Sequence, residues 1–309
     1  MENGSELVFV PEMDDGFEAL KGSLESTVLE NYTQLTYNNL EAIVDSLATE
    51  RELHFLGVTP NDVVIGVEPE ALSKDRRLYP DRSPKVLSKN LDVHLSSDAS
   101  VAWVYDEISY RVQYMNREAS IPIRLTAIYV RDGERWVLVA EHRSYGVGTE
   151  ELVELSTSGE LRRGKLIENG YGDDKKLAIT LLGIVGKFIN NGEGIHPNDK
   201  SLVVFHEPAV ELRFPFSDDT LSLAKRFSPD ATVALREFRV QVSRTQTIAW
   251  IVANLSVTTE VEGERRELPL RGTFVLEKLP EQGWGLVQAH IAVPLLERQI
   301  SQRIFGPNR

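Results

Sequence analysis

The chain has 309 residues, of which 41% are hydrophobic and 26% charged, with a formal net charge of −13 and no cysteine. The excess of carboxylates argues against nucleic acid and anionic membranes as partners, because like charges repel. The lack of cysteine excludes disulfides, thiolate nucleophiles and cysteine-ligated zinc. The acidic start lacks the pattern of a signal peptide, and the longest apolar run, Leu177–Ile189, is too short to span a bilayer. We therefore expect a cytoplasmic protein.

The first half begins with a long helical segment and continues with strands. Apolar residues keep a helical period over 15–48, and Asn38 or Asn39 is placed to cap a second helix within that segment. A short strand at Val63–Val67 follows. After a segment that contains prolines, the pattern predicts three further strands, at 99–112, 121–130 and 135–145.

The second half repeats this order after a stretch rich in glycine and charge, 151–172, which we predict to be a linker. An apolar helix is expected at 174–190 and a strand at Ser201–His206. Four more strands are expected, at 231–243, 246–258, 267–277 and 284–293. The predicted domains are 1–150 and 173–309, the second with a shortened second helix. Helices followed by antiparallel strands indicate an α+β fold in which a sheet curls over helices.

Side chains recur at constant spacing in the two halves. Four residues have counterparts 147 positions later, and two have counterparts 148 positions later, after a one-residue insertion between strands. The pairs are Trp103 and Trp250, Pro122 and Pro269, Arg124 and Arg271, Thr126 and Thr273, Trp136 and Trp284, and His142 and His290. Because hairpin loops tolerate insertions, the position of the slip supports a structural repeat.

This order of elements resembles the NTF2-like (SnoaL-like) superfamily, whose domains are cone-shaped α+β folds. Val67–Leu72, which reads VEPEAL, is similar to the FEPEAL segment of the association domain of the calcium/calmodulin-dependent kinase. Arg131–Gly133 with Trp136 and His142–Ser144 is similar to a hairpin of that same domain. The resemblance implies two tandem cones, each a curved antiparallel sheet wrapped over N-terminal helices. It implies little about activity, because the superfamily includes enzymes and non-catalytic modules.

Strand alternation places the recurring residues on one face of each sheet. On the last strand of each half, alternation groups Trp136, Leu138, Ala140 and His142, and likewise Trp284, Leu286, Gln288 and His290. Pairing of Val130 with Trp136 would set Arg124 opposite His142, and the equivalent register would set Arg271 opposite His290. A histidine beside an arginine should be neutral, unless an anion lies between them.

Two interpretations of this face remain open. It could line a pocket that binds a small carboxylate or a hydrophobic acid, or it could be a sheet–sheet interface between the two halves. The candidate ligand-binding residues are Arg124, His142, Trp103, Glu107, Arg271, His290, Trp250 and Asn254. The opposite face in the second half is apolar, as expected for a surface covered by helices; its residues are Ala249, Ile251, Ala253, Leu255, Val287, Ala289 and Ile291.

The sequence indicates no cofactor and no metal site, since its six histidines lack metal-ligand spacing. Asp106 and Tyr105 alternate along a strand and cannot face one pocket. Asp106 and Tyr110 share a face, but the neighbouring Val104 and Ile108 suggest ordinary packing. We therefore expect a non-catalytic binding or scaffolding module, monomeric as an intramolecular pseudo-dimer or else a homodimer. The alternatives are a lyase or isomerase acting on a hydrophobic carbonyl compound, and an oligomerisation hub.

Overall fold

The computed structural model describes residues 15–37, 39–48, 51–66, 85–114, 117–196, 202–204 and 222–306. The predicted Val67–Leu72 motif lies outside these residues. The helices are α1 (Asp15–Thr36), α2 (Leu40–Asp45), α3 (Thr149–Thr157), α4 (Lys175–Asn191), α5 (Leu223–Phe227) and α6 (Glu297–Phe305). Within the described ranges, no helix combines the length and the apolar character needed to cross a membrane.

The strands form two sheets, one in each half of the chain. The first-half strands are β1 (Leu53–Leu56), β2 (Val63–Gly66), β3 (Lys85–Ser88), β4 (Asp92–Leu95), β5 (Val101–Tyr114), β6 (Arg117–Asp132) and β7 (Arg135–Ser144). The second-half strands are β8 (Leu202–Val204), β9 (Thr232–Val242), β10 (Ile248–Val261), β11 (Glu264–Leu279) and β12 (Gly283–Ala292).

The two sheets share one central strand order, and the first has the additional edge strand β2. The first has the order β2-β1-β7-β6-β5-β3, with β4 also paired to β5, and the second has the order β8-β12-β11-β10-β9. The long strands are antiparallel, whereas β1 runs parallel to β7 and β8 runs parallel to β12. The predicted α+β fold with two tandem sheet-over-helix units is confirmed.

The helices begin and end where local chemistry favours it. The Asn39 side chain accepts a hydrogen bond from Ala42 N at 3.3 Å, so it caps α2 as the sequence predicts. The Asp174 carboxylate accepts from Leu177 N at 2.9 Å and starts α4. Gly192, with φ of 78°, ends that helix in the left-handed conformation that glycine adopts without steric cost.

The repeat extends to the turns that precede the long hairpins. Ser96 N donates to Val101 O at 2.8 Å, and Ser243 N donates to Ile248 O at 2.7 Å. Ala99 and Gln246, 147 positions apart, have positive φ values of 52° and 55°. Since non-glycine residues rarely adopt this conformation, its recurrence supports a common origin for the two turns.

The predicted strand register is wrong by two positions in each half. Thr126, not Arg124, pairs with His142, and Thr273, not Arg271, pairs with His290. One position comes from the hairpin turn, and the other comes from a β-bulge that inserts Val139 in β7 and its equivalent Val287 in β12.

The same bulges break the predicted alternation along β7 and β12. Leu286 contributes to the core beneath α4 and Trp284 packs against that core, whereas His290 lies on the opposite face. Val287 also points away from the helix, into the cluster shared with the first half. The other residues predicted for the apolar helix-covered face do lie in the core beneath α4; they are Ala249, Ile251, Ala253, Leu255, Ala289 and Ile291.

The predicted linker contains most of a helix. The nine-residue helix α3 starts 148 positions before α6, which has the same length, so each half ends in an equivalent helix. The predicted domain boundary at residue 150 falls inside α3. Leu152 of α3 is buried in the core of the second half, so this helix crosses from one half to the other.

Candidate functional site

The predicted histidines meet between the two sheets. The rings of His142 and His290 stack with centroids 4.0 Å apart and planes inclined by 22°. Both side chains are at most 1% exposed. Two strands that are 148 residues apart in sequence are thus brought face to face by the packing of the halves.

Hydroxyl groups from the opposite half bind each ring. Thr126 Oγ1 lies 3.0 Å from Nδ1 of His290, and Thr273 Oγ1 lies 3.2 Å from Nδ1 of His142. Ser144 Oγ lies 2.7 Å from Nε2 of His290. The two threonine contacts are equivalent under the repeat, so this centre is organised about an approximate twofold axis.

Arginines flank the histidine pair. Arg271 is 1% exposed and donates to the carbonyl oxygens of Gly57 at 3.3 Å, Thr59 at 2.7 Å and Pro60. These carbonyls belong to the turn between β1 and β2, so Arg271 binds the other half of the chain. Arg124 is 6% exposed on the matching side.

The histidines are held neutral. Burial, followed by the charges of Arg271 and Arg124, lowers the pKa of His142 to about 3. Burial, followed by His142 and Arg124, lowers the pKa of His290 well below its ordinary value. The expectation of a neutral histidine therefore agrees with this geometry, although the cross-strand partner is a threonine and not an arginine.

The other four candidates lie around this centre. Trp103 and Trp250 are fully buried in a cluster shared by the two halves. Glu107 accepts a hydrogen bond from the Tyr105 hydroxyl at 3.3 Å, and Asn254 donates to Lys165 O at 3.0 Å. The two tryptophans therefore agree with the sheet–sheet interface, one of the two interpretations of this face, whereas the hydrogen bonds of Glu107 and Asn254 do not join the two sheets. That the eight residues bind a ligand stays a prediction.

A second polar cluster lies on the opposite face of the first sheet, beneath α1. Asp106 of β5 is fully buried, and burial raises the pKa of its carboxyl. Its Oδ1 accepts from Asn90 N at 3.0 Å and from Lys89 N at 3.4 Å, and so anchors the turn between β3 and β4. The sequence suggested ordinary packing here, but the structure places an ionisable group inside the cone.

Two tyrosines extend this cluster. Burial, and next the Asp106 carboxylate, raise the pKa of the Tyr32 phenol on α1. The Tyr129 hydroxyl receives a hydrogen bond from Asn31 Nδ2 at 3.4 Å. The Tyr32 hydroxyl and the Asp106 carboxylate act on one another as a hydrogen-bonding pair, although among the described residues neither the hydroxyl nor Asp106 Oδ2 has a partner at normal hydrogen-bond geometry. Such atoms are uncommon in folded proteins and mark a place where a polar ligand group would be favourable.

An ion pair lies at the other end of the same face. Arg143 Nε is 2.5 Å from Glu141 Oε1, and both side chains are partly accessible. The Arg143 guanidinium lies over the Tyr110 ring, 5.7 Å from its centroid. Because Glu141 neutralises Arg143, the cone carries hydrogen-bonding groups without a large net charge.

The second half has an apolar residue at each of the five equivalent strand positions. Ala253, Val257, Leu276, Ala289 and Ile291 stand where the first half has Asp106, Tyr110, Tyr129, Glu141 and Arg143. All five are buried in the core under α4. The sequence analysis compared the halves for shared residues and therefore missed this contrast, which is readable from the same alignment.

A separate surface groove of about 370 Å³ lies between α6 and β6. Arg303 forms one wall, lies over the Tyr145 ring and donates to Gly146 O at 3.2 Å. Its guanidinium is also paired with Glu151. The cation is therefore already neutralised by the protein.

A family model described as the SnoaL-like domain matches residues 26–148 and 220–295, which together make up more than half of the chain. Both halves are represented in the match, and the first segment contains Tyr32, Asp106 and Tyr129. Among curated proteins, no match to the chain was found.

Solved structures of NTF2-like proteins are similar to parts of the chain. A protein of Xanthomonas campestris, provisionally assigned as a calcium/calmodulin-dependent protein kinase II association domain, is 17% identical, with 47% of this chain and 97% of that chain covered and a TM-score of 0.35. A provisionally assigned dehydratase of the NTF2-like family from Streptomyces avermitilis is 10% identical, with 42% and 99% covered and a TM-score of 0.38. An NTF2-like protein with a cystatin-like fold from Novosphingobium aromaticivorans is 11% identical, with 43% and 92% covered and a TM-score of 0.37.

Proposed function

The chain belongs to the SnoaL-like domain family, and from this premise we propose that it is a small-molecule-binding protein with one working cone. In this proposal the first cone binds a small hydrophobic ligand that carries a hydroxyl or carbonyl group. The second cone is a structural partner, and the two halves form an intramolecular pseudo-dimer. The observation that carries the proposal is the contrast between the halves. Where the first half has Asp106 and its polar neighbours, the second half has buried apolar residues at the equivalent strand positions.

The ligand class follows from the groups in the first cone. Ile108, Ile123 and Leu125 surround Asp106 with buried apolar surface, which favours a hydrophobic body. The Asp106 carboxylate and the Tyr32 hydroxyl face each other, so they offer one acceptor and one donor between which a ligand hydroxyl or carbonyl group can bind. Since the raised pKa of Asp106 reflects the cost of burying its charge, a neutral ligand is favoured over an anion.

Binding of 2-naphthol, with naphthalene as the reference that lacks a hydroxyl, tests this proposal by calorimetric titration. We expect one site per chain and tighter binding of 2-naphthol, by about 0.5–1.5 kcal/mol, the net contribution of a hydrogen bond. Asp106→Asn places an amide donor where the acceptor was and should remove this preference. Asp132→Asn, at an exposed hairpin position of the same half, is the matched control. Equal preference in the wild type and Asp106→Asn would contradict the proposal.

A second candidate function is acid–base catalysis on a hydrophobic carbonyl compound. It is favoured by the raised pKa of Asp106 next to a tyrosine hydroxyl, because a carboxylate base and a phenol donor could together remove a proton next to a carbonyl. Deuterium incorporation into the methyl group of 2-acetylnaphthalene in D2O, followed by NMR, is the measurement. Catalysis predicts exchange at least about 100-fold faster with wild type than with Asp106→Asn. Equal exchange rates with wild type and Asp106→Asn would contradict catalysis and leave ligand binding as the proposed function.

A further inference from the structure

We infer that the His142–His290 contact is an acid-sensitive latch, which opens the interface between the two halves while each half stays folded. The inference concerns the face opposite the proposed ligand cone and does not depend on that cone's function. It starts from the geometry of two stacked, fully buried imidazoles that are held by hydroxyl groups from opposite halves.

The contact suits neutral rings only. A neutral imidazole has one donor and one acceptor, and Thr126, Thr273 and Ser144 can satisfy both kinds of group because a hydroxyl donates or accepts. A proton added to either ring would place a charge 4.0 Å from the other ring, without access to water. Two charged rings would repel each other strongly at this distance.

The charged groups that face the pair make protonation still less favourable. Arg124 on β6 and Arg271 on β11 both act on His142 as positive charges. On the parallel strand β1, His54 is the titratable neighbour, and its own carboxylate partner is Glu52, 3.3 Å away. The carboxylate of Asp62 acts on Arg271. Among the described residues, no carboxylate contributes to the pKa of either ring of the pair.

The difference in the pKa of His142 between the closed and the open interface gives the direction and the size of the pH effect on opening. The pKa of His142 lies near 3 in the closed interface, against an ordinary value of 6.5. The closed form is therefore fully favoured above pH 6.5 and loses stability as the pH falls from 6.5 towards 3. At pH 5, a histidine that regains its ordinary pKa on opening raises the opening equilibrium constant by about 30-fold.

Each sheet is covered by its own helix on the face away from this contact, although the core under α1 continues into the interface through Trp250 and Val287. α4 covers the second sheet through Ala178, Leu181, Val185 and Phe188, all fully buried. α1 covers the first sheet through Leu24 and Val28. The interface has polar groups at its centre and buried apolar residues such as Trp103, Trp250 and Val287 around them. Because the buried histidines lie in the interface, acid weakens this contact and not the surfaces that α1 and α4 cover.

The absence of native cysteine allows a direct test by energy transfer between two dyes. Ser26→Cys on α1 and Thr180→Cys on α4 place the dyes on exposed positions of the two halves. Between pH 7.5 and 5.0 we expect transfer efficiency to fall, with an opening constant that rises by at least about 30-fold. Far-UV circular dichroism should stay unchanged over this range. Unchanged transfer at pH 5.0, or loss of dichroism in parallel with transfer, would overturn the latch.

A variant separates the histidine pair from other acid effects. His142→Gln/His290→Gln keeps hydrogen-bonding groups but cannot titrate, and its transfer efficiency should be the same at pH 7.5 and 5.0. The control is His196→Gln, whose ring binds the Glu277 carbonyl within the second half and which should open like wild type. A double variant that still opens would overturn the inference. If the double variant does not fold, the pH dependence of energy transfer and of circular dichroism in the labelled protein that keeps both histidines decides the question.

Discussion

Buried polar side chains have different roles on the two faces of the first sheet. On the face that meets the second half, His142 and Thr126 are satisfied by groups from the other half. On the face beneath α1, the Asp106 carboxylate accepts from the backbone of Lys89 and Asn90 and lies against the Tyr32 hydroxyl. The first arrangement joins the two halves, and the second is the one that we propose to bind a ligand.

Arg271 illustrates how much the interface depends on single residues. Its guanidinium donates to the carbonyl oxygens of Gly57, Thr59 and Pro60 in the turn between β1 and β2. Arg271→Met should therefore reduce the free energy of unfolding by about 1.5–3 kcal/mol, the range for a hydrogen bond that involves a charged group. Urea denaturation followed by circular dichroism is the measurement.

The control for this substitution is Arg265→Met, on an exposed part of the same strand. It should change the free energy of unfolding by no more than about 0.5 kcal/mol. Equal effects of the two substitutions would mean that Arg271 does not hold the turn.

At the scale of elements, the bulges decide which residues meet. Because β7 and β12 each contain one extra residue, both histidines face the other half. Leu138 and Leu286, which precede the bulges, pair with Tyr129 and Leu276. The terminal helices of the halves add to this exchange, because α3 carries Leu152 into the second core and Arg298 of α6 pairs with Glu160 at 3.1 Å. The connection after β7 is therefore part of the packing and not a free spacer.

At the scale of the whole molecule, one face of each sheet packs against the other half. The cluster shared between them includes Trp103, Trp250, Ile248 and Val287, all fully buried. Because this face of each sheet is buried within the chain, less apolar surface remains exposed for binding a second copy. The hub alternative requires such a surface on the outside of the pseudo-dimer.

Light scattering distinguishes these assemblies. We expect a monomer of 34.7 kDa over micromolar concentrations, because the proposed pseudo-dimer interface is intramolecular. A homodimer or a ring of several chains would contradict this expectation, and a ring would favour the oligomerisation hub.

The sequence by itself left open whether the shared face joins the halves or lines a pocket, but it determined the repeat and the order of the long strands. Residues shared at constant spacing, such as Trp103 with Trp250 and His142 with His290, are enough for this, since strand periodicity is local. The α4 boundaries were also predicted to within one residue, because Asp174 and Gly192 provide strong local signals.

Only the tertiary structure decided the register and the place of the polar cone. The bulges at Val139 and Val287 have no distinctive local sequence, because both positions carry ordinary strand residues. The position of Asp106 beneath Tyr32 depends on how α1 packs across β5, a contact between segments more than 70 residues apart. Its raised pKa depends on burial, which is a property of the packed molecule and not of any short segment.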